Sequence, residues 1–204
     1  MVQAARILLF LAAVAVARAA EDFRAEFVVE TTEGQQSFTV RVHPDWAPLG
    51  VDRFKELVEA KFYDDTRFYR VLPKFVVQFG LSGDPETNAL WRSKPIKDDP
   101  VTATNKPGTI TFAKTSAPNS RTTQLFINTQ NNARLDGMGF APFGEIEGSG
   151  MDVVAKLYNC GEKPNQGEIQ SRGNAYLDEK FPELSKIVSV KLLPIEESLP
   201  KDEM

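Results

Sequence analysis

The strongest constraint on this chain is its succession of short strand-like segments, relieved by helical periodicity in only two places. Phe23, Ala25, Phe27 and Val29 alternate with Arg24, Glu26, Val28 and Glu30, the period of a half-buried strand. Thr31, Thr32, Glu33 and Gly34 form a turn and β-type content resumes at 37–42, so residues 23–43 read as a hairpin. Pro44 and Pro48 break the ladder. Val51, Phe54, Leu57, Val58 and Phe62 then share one helical face, with Asp52, Lys55, Glu56 and Glu59 on the other. Strand character returns at 67–72 and 75–79, turning at Pro73 and Lys74, and again at 109–113, 123–128, 140–146 and 187–193. Met151, Val154, Ala155, Leu157 and Tyr158 support a second short helix. Residues 80–108 read as a long irregular excursion, of a kind usually functional or packed on the surface. Many short strands, two distant helices and no βαβ alternation imply a mainly-β barrel capped by helices.

The ends carry signals of a different kind. Arg6 precedes an apolar run at 7–17, and Ala17 and Ala19 supply the small residues a signal peptidase reads. That run is too short for the roughly twenty residues of a membrane span, so residues 1–20 are expected to be a signal peptide cleaved after Ala19 or Ala20. Residues 196–204 form a polar tail ending Lys201-Asp202-Glu203-Met204, which differs from the Lys-Asp-Glu-Leu retention signal only in its last residue. The expected location is the endoplasmic reticulum lumen, with secretion as the alternative, and no membrane association after cleavage. Residues 21–195 are left as one folding domain. Within the 204 residues, 42% hydrophobic and 25% charged content suffices for one sizeable core. A net charge of −4 gives no reason to expect a nucleic-acid partner. The sole cysteine, Cys160, can form no intramolecular disulfide, so the core must hold without staples; a buried, inert thiol is the expectation.

Several chemistries find little material here. His43, the only histidine, sits at a strand end directly before Pro44, a poor place for a hydrolase base. One histidine and one cysteine cannot make the usual zinc sets, so no metal site and no cofactor are expected. Neither a Walker nor a dinucleotide glycine pattern occurs. A carboxylate-pair glycosidase stays open on composition alone, though nothing places two carboxylates together.

The informative segments lie in the strands. In the run from Phe68 to Gln78, strand alternation puts Phe68, Arg70 and Leu72 on one face. An arginine among aromatics is unusual because an unpaired buried charge is costly, although a snorkelling or ion-paired surface arginine would also account for it. Gln124 and Phe126 share a face in a second segment, and Leu135-Asp136-Gly137 turns into the strand through Phe140 and Phe143.

In these three runs, Phe-x-Arg-Val-x-Pro-x-Phe-x-x-Gln, Gln-x-Phe-Ile and Leu-Asp-Gly…Phe-Gly, the chain resembles the cyclophilin family of peptidyl-prolyl cis-trans isomerases in order and spacing, over residues 22–194. The resemblance implies a closed eight-stranded antiparallel β-barrel capped by two α-helices, with an outer groove for an Xaa-Pro dipeptide. Arg70 matches the catalytic arginine and Gln78 the glutamine that helps position substrate. Phe75, Phe126 and Leu135 match the walls of the proline pocket, with Val76 where the family often has methionine. Ala113 and Gln124 match the neighbouring binding edge, and Phe140 fills space a histidine often occupies. The chemistry suits these types. The X–Pro bond is held by a resonance barrier of about 18–20 kcal/mol. Twisting it localises a lone pair on the prolyl nitrogen, and a guanidinium donor there stabilises the twisted state over both planar states. The implied partners are proline-containing peptides and unfolded client proteins, met by a monomer.

Two departures bear on this reading. Arg134 stands where members commonly have a tryptophan that helps bind cyclosporin, so reduced affinity for that drug is expected. Tyr69 replaces a common histidine and, by alternation, faces away from Arg70. A catalytically weak proline-peptide-binding or chaperone module using the same groove is the alternative, favoured by the altered rim at Arg134.

Overall fold

In the hairpin of β1 (Phe23–Thr31) and β2 (Gly34–Val42), alternation buries one face: Phe27 lies opposite Phe38 with the two rings stacked at 5.0 Å. The turn is held by the Thr31 hydroxyl, which donates to the Gly34 carbonyl at 2.9 Å. The computed structural model describes residues 21–193, so the expected signal peptide (1–20) and polar tail (196–204) lie outside the described residues. Around the hairpin runs one eight-stranded antiparallel sheet, ordered β3-β4-β6-β5-β7-β2-β1-β8. Its remaining strands are β3 (Arg70–Val71), β4 (Val76–Phe79), β5 (Thr109–Phe112), β6 (Leu125–Asn128), β7 (Pro142–Ile146) and β8 (Lys186–Leu193).

The ladder is open, where a closed barrel was expected. Its end strands β3 and β8 do not pair along their length; the sheet curls until the chain entering β3 meets the start of β8 at one isolated bridge, Arg67 with Lys186. The Phe68 N–H donates to the Ser185 carbonyl at 3.0 Å, and the Ile187 N–H to the Thr66 carbonyl at 2.9 Å. β3 is too short to extend this contact into a ladder.

The sheet's inner face carries Phe27, Phe38, Phe79, Ile110, Phe112, Leu125, Ile127 and Phe143, all buried. Helix α1 (Pro48–Glu59) closes over it with Val51, Phe54, Leu57 and Val58, the Phe54 ring 5.1 Å from Phe143. Ala47 offers no capping side chain, and Asp99 serves instead: its carboxylate accepts from the N–H of Leu49 at 3.0 Å and of Gly50 at 2.8 Å. Asp99 is itself paired at 3.0 Å with Arg121, both side chains almost wholly buried.

Helix content exceeds the two segments expected. Besides α1 and a short α3 (Gly150–Val154), the described residues include α2 (Pro85–Arg92), α4 (Gln166–Arg172), α5 (Asn174–Lys180) and a 3-10 turn at Ala133–Met138. α2 lies inside the stretch read as irregular. It starts on an Asp84 cap that accepts from the N–H of Glu86 and Thr87, with Pro85 in its first turn. α4 starts likewise on Asn165, which accepts from the Glu168 N–H at 3.1 Å. No described helix is long and apolar enough to cross a membrane.

Candidate functional site

On the outer face of β4, β6 and β5 lies a second, smaller apolar cluster, separate from the core. Val76, Phe126 and Leu135 are buried in it, with Phe75, Ala113 and Phe140 packed against them. The pleat explains the separation. Val77 and Phe79 of β4, and Leu125 and Ile127 of β6, point into the core, so Val76, Gln78 and Phe126 face outward. Phe126 and Phe140 meet edge to face at 5.7 Å.

Polar side chains hold the pocket wall in shape. Asn132 Nδ2 donates to the Phe75 carbonyl at 2.8 Å, and Asn105 Nδ2 to the Phe140 carbonyl at 2.9 Å and to Asp136 Oδ1 at 2.7 Å. Asn128 Nδ2 donates to Asn105 Oδ1 at 3.0 Å and Asn132 Nδ2 to Asn128 Oδ1 at 2.8 Å, making one buried amide network behind the apolar face.

Arg70 and Gln78 are register partners across β3 and β4, and Gln78 pairs onward with Phe126 of β6. Arg70 Nη1 donates to Gln78 Oε1 at 3.2 Å, and its guanidinium carbon lies 5.4 Å from the Phe75 ring centre. Gln78 Nε2 donates to Gln124 Oε1 at 3.0 Å. Gly80 permits this approach. It has φ +95°, and a Cβ there would lie 2.5 Å from the Thr123 carbonyl, so only glycine lets residues 123–124 lie so close to the end of β4. Beyond Gln78, Ala113 and Gln124, a cavity of 620 Å³ continues between the 113–122 loop and the side chains of Arg92, Gln166 and Gln170.

Every site residue expected from the sequence therefore falls in one place: Arg70, Gln78 and Gln124 as a hydrogen-bonded row, and Phe75, Val76, Ala113, Phe126, Leu135 and Phe140 as the apolar pocket beside it. One expectation about neighbours needs correcting. Phe68 does not share a face with Arg70; it is buried in the core with its ring 5.2 Å from Phe79, because only Arg70 and Val71 join the ladder. Tyr69 lies in the core and reaches the site from that side: its hydroxyl donates to Gln124 Oε1 at 2.7 Å. Burial pushes that hydroxyl's pKa far above the ordinary tyrosine value, so it stays a donor.

Sequence reasoning also passed over the Asn105, Asn128 and Asn132 network and Glu162, which pairs with Arg70. Asn105 and Asn132 lie in loops, which carry no periodic signal, Asn128 ends a strand as an isolated polar residue, and Glu162 is distant in sequence from the arginine it meets. The rim residue Arg134 is exposed and stacks on Phe75 at 4.9 Å.

Asp22, His43 and Asp45 bring possible metal ligands within 4.8 Å of one another at the β1–β2 end of the sheet. There Asp22 Oδ2 already accepts from Arg41 Nε at 2.8 Å and lies 2.9 Å from His43 Nδ1. The arginine charge opposes a cation at that carboxylate.

Comparison with known proteins identifies the family and the fold. Residues 27–174 match the family described as cyclophilin type peptidyl-prolyl cis-trans isomerase/CLD. The chain is similar to a peptidyl-prolyl cis-trans isomerase of Acinetobacter baylyi, at 34% identity over 66% of this chain and 73% of that protein. It is also 34% identical to peptidyl-prolyl cis-trans isomerase B of Escherichia coli, over 58% of this chain and 76% of that one. In fold it resembles the crystal structure of a cyclophilin type isomerase of Cryptosporidium parvum, with a TM-score of 0.59 and 18% identity, over 84% of this chain and 98% of that one. By sequence and by fold, this chain belongs to the cyclophilin type peptidyl-prolyl cis-trans isomerases.

Proposed function

We propose that the protein accelerates cis-trans isomerisation of Xaa-Pro bonds in proteins folding in the secretory pathway, with Arg70 as the catalytic group. The observation that carries this reading is the Arg70 guanidinium set beside an outward-facing apolar pocket, with Gln78 holding one of its terminal nitrogens. A proline ring seated among Phe75, Val76, Phe126, Leu135 and Phe140 is gripped by apolar contact. Ala113 and the amide of Gln124 then line the path of the preceding residue. As the bond twists, the prolyl nitrogen gains lone-pair character, and Arg70 donates a hydrogen bond that neither planar state accepts as well. Binding is thereby stronger in the transition state than in the ground states. No proton changes hands and no covalent intermediate forms.

The compartment is read from residues 1–20 and from the Lys201–Met204 end, which support passage into the endoplasmic reticulum and retention there. Clients are proline-containing peptides and unfolded chains. Cyclosporin binds in the same groove, with affinity reduced by Arg134 at the rim.

Exchange NMR on a short Xaa-Pro peptide, with the wild-type protein and Arg70→Ala in parallel, tests the reading. Arg70→Ala is expected to lose about 2–4 kcal/mol of transition-state stabilisation while keeping its fold, because Arg70 is partly exposed outside the core. Peptide binding by the wild type without faster exchange would make this a proline-peptide binder, the reading that the altered rim at Arg134 favours.

A further inference from the structure

We infer that Glu162 is a positioning residue for Arg70, holding one edge of the guanidinium so that the opposite pair of N–H groups faces the substrate. The inference rests on Arg70 being the group that stabilises the twisted bond.

Glu162 reaches Arg70 because the fold brings it there. Cys160, 2% exposed, buries its thiol with Sγ 3.7 Å from the Phe68 carbonyl. Gly161 then bridges Val71, whose N–H donates to the Gly161 carbonyl at 3.1 Å. Gly161 makes the turn with φ +61°, a value other residues adopt at a cost. The next residue is thereby laid along the outer edge of β3, beside Arg70. Three consecutive residues thus serve as anchor, bridge and contact.

The hydrogen bonds then fix the guanidinium plane. Glu162 Oε1 accepts from Arg70 Nε at 2.8 Å and also from Nη2. Nη1 donates to Gln78 Oε1 at 3.2 Å. A guanidinium has five N–H donors in a rigid fork. Three are occupied, which leaves one on each terminal nitrogen. With the Nε side taken by Glu162, the free pair is directed away from the carboxylate. Among the described residues, Glu162 is the only carboxylate within ion-pair distance of Arg70.

Two effects of the Glu162 charge oppose each other. It weakens the positive potential that Arg70 offers a lone pair, and it holds the plane that aims the donors. The Glu162 side chain is 61% exposed, so water screens the first effect. Aim does not suffer that screening, since a misdirected donor loses its bond altogether. Positioning therefore wins. Exposure also means the pair adds little to stability, so a role for Glu162 must show in turnover.

Purified wild-type protein, Glu162→Ala, Glu162→Gln and Arg70→Ala would be compared by exchange NMR across a peptide titration, with thermal unfolding and the Arg70 Nε–H resonance recorded for each. Glu162→Ala is expected to lower kcat about three- to tenfold, with KM within about twofold, an unchanged Tm and a displaced Arg70 Nε–H signal. Glu162→Gln, which keeps an acceptor without the charge, is expected to recover part of the loss. Unchanged or higher kcat in Glu162→Ala, or a loss expressed in KM or Tm instead, overturns the inference while leaving Arg70 in its role. Full activity in Arg70→Ala would remove the reading on which the inference stands.

Discussion

The Tyr69 hydroxyl and Gln124 Oε1 form a 2.7 Å hydrogen bond that joins the core to the groove. The same oxygen accepts from Gln78 Nε2, so Gln78 must turn its own oxygen outward, where it receives Arg70 Nη1. One buried phenol thus sets the orientation of two amides and, through them, one side of the arginine. Tyr69→Phe keeps the ring volume and removes the donor. It is expected to lower kcat/KM about threefold and to cost about 1 kcal/mol of stability, from exchange NMR and urea unfolding respectively. An unaltered kcat/KM would show that the Gln78–Gln124 pair orients itself without the phenol.

Arg134 lies over Phe75 with its guanidinium carbon 4.9 Å from the ring centre, on the wall of the apolar pocket. It offers the rim a cation where a large apolar surface would add contact area. Arg134→Trp is expected to raise cyclosporin affinity about tenfold, because an aromatic anchor at the edge of a formed pocket buries more apolar surface. Titration calorimetry on the two proteins measures the change, and equal affinities would mean the drug does not reach residue 134.

How much of this was legible depended on how far each signal travelled along the chain. The β1–β2 hairpin and α1 could be read because each buries one face, and Phe27 or Phe54 then recurs at the period of its element. α2 was hidden by the glycines, prolines and asparagines around it, although Asp84 and Pro85 carried its start signal. α4 and α5 have seven residues each, too few for a periodic face to show. At the site, the side chains that would meet substrate lay in compact runs that could be recognised. Those that hold them, Asn105, Asn132 and Glu162, are brought there only by the fold.

Arg121 and Asp99 form a buried pair whose carboxylate also serves the first turn of α1. Removing the arginine would leave the Asp99 charge without its cation in a site with almost no water access. Arg121→Ala is therefore expected to cost about 3–5 kcal/mol in denaturant unfolding. A cost below about 1 kcal/mol would show that the two backbone N–H groups of α1 satisfy Asp99 unaided.

The unpaired seam between β3 and β8 gives the groove two unlike sides. Val76, Gln78 and Phe126 stand on strands paired along their length with neighbours, a stiff wall suited to gripping a ring that must stay still. Arg70 stands on a two-residue strand, tethered on its far side by the single Val71–Gly161 bridge and the Glu162 carboxylate. The pocket is thus held redundantly and the arginine by few contacts, so the loss of one tether would disturb Arg70 and leave the apolar wall intact.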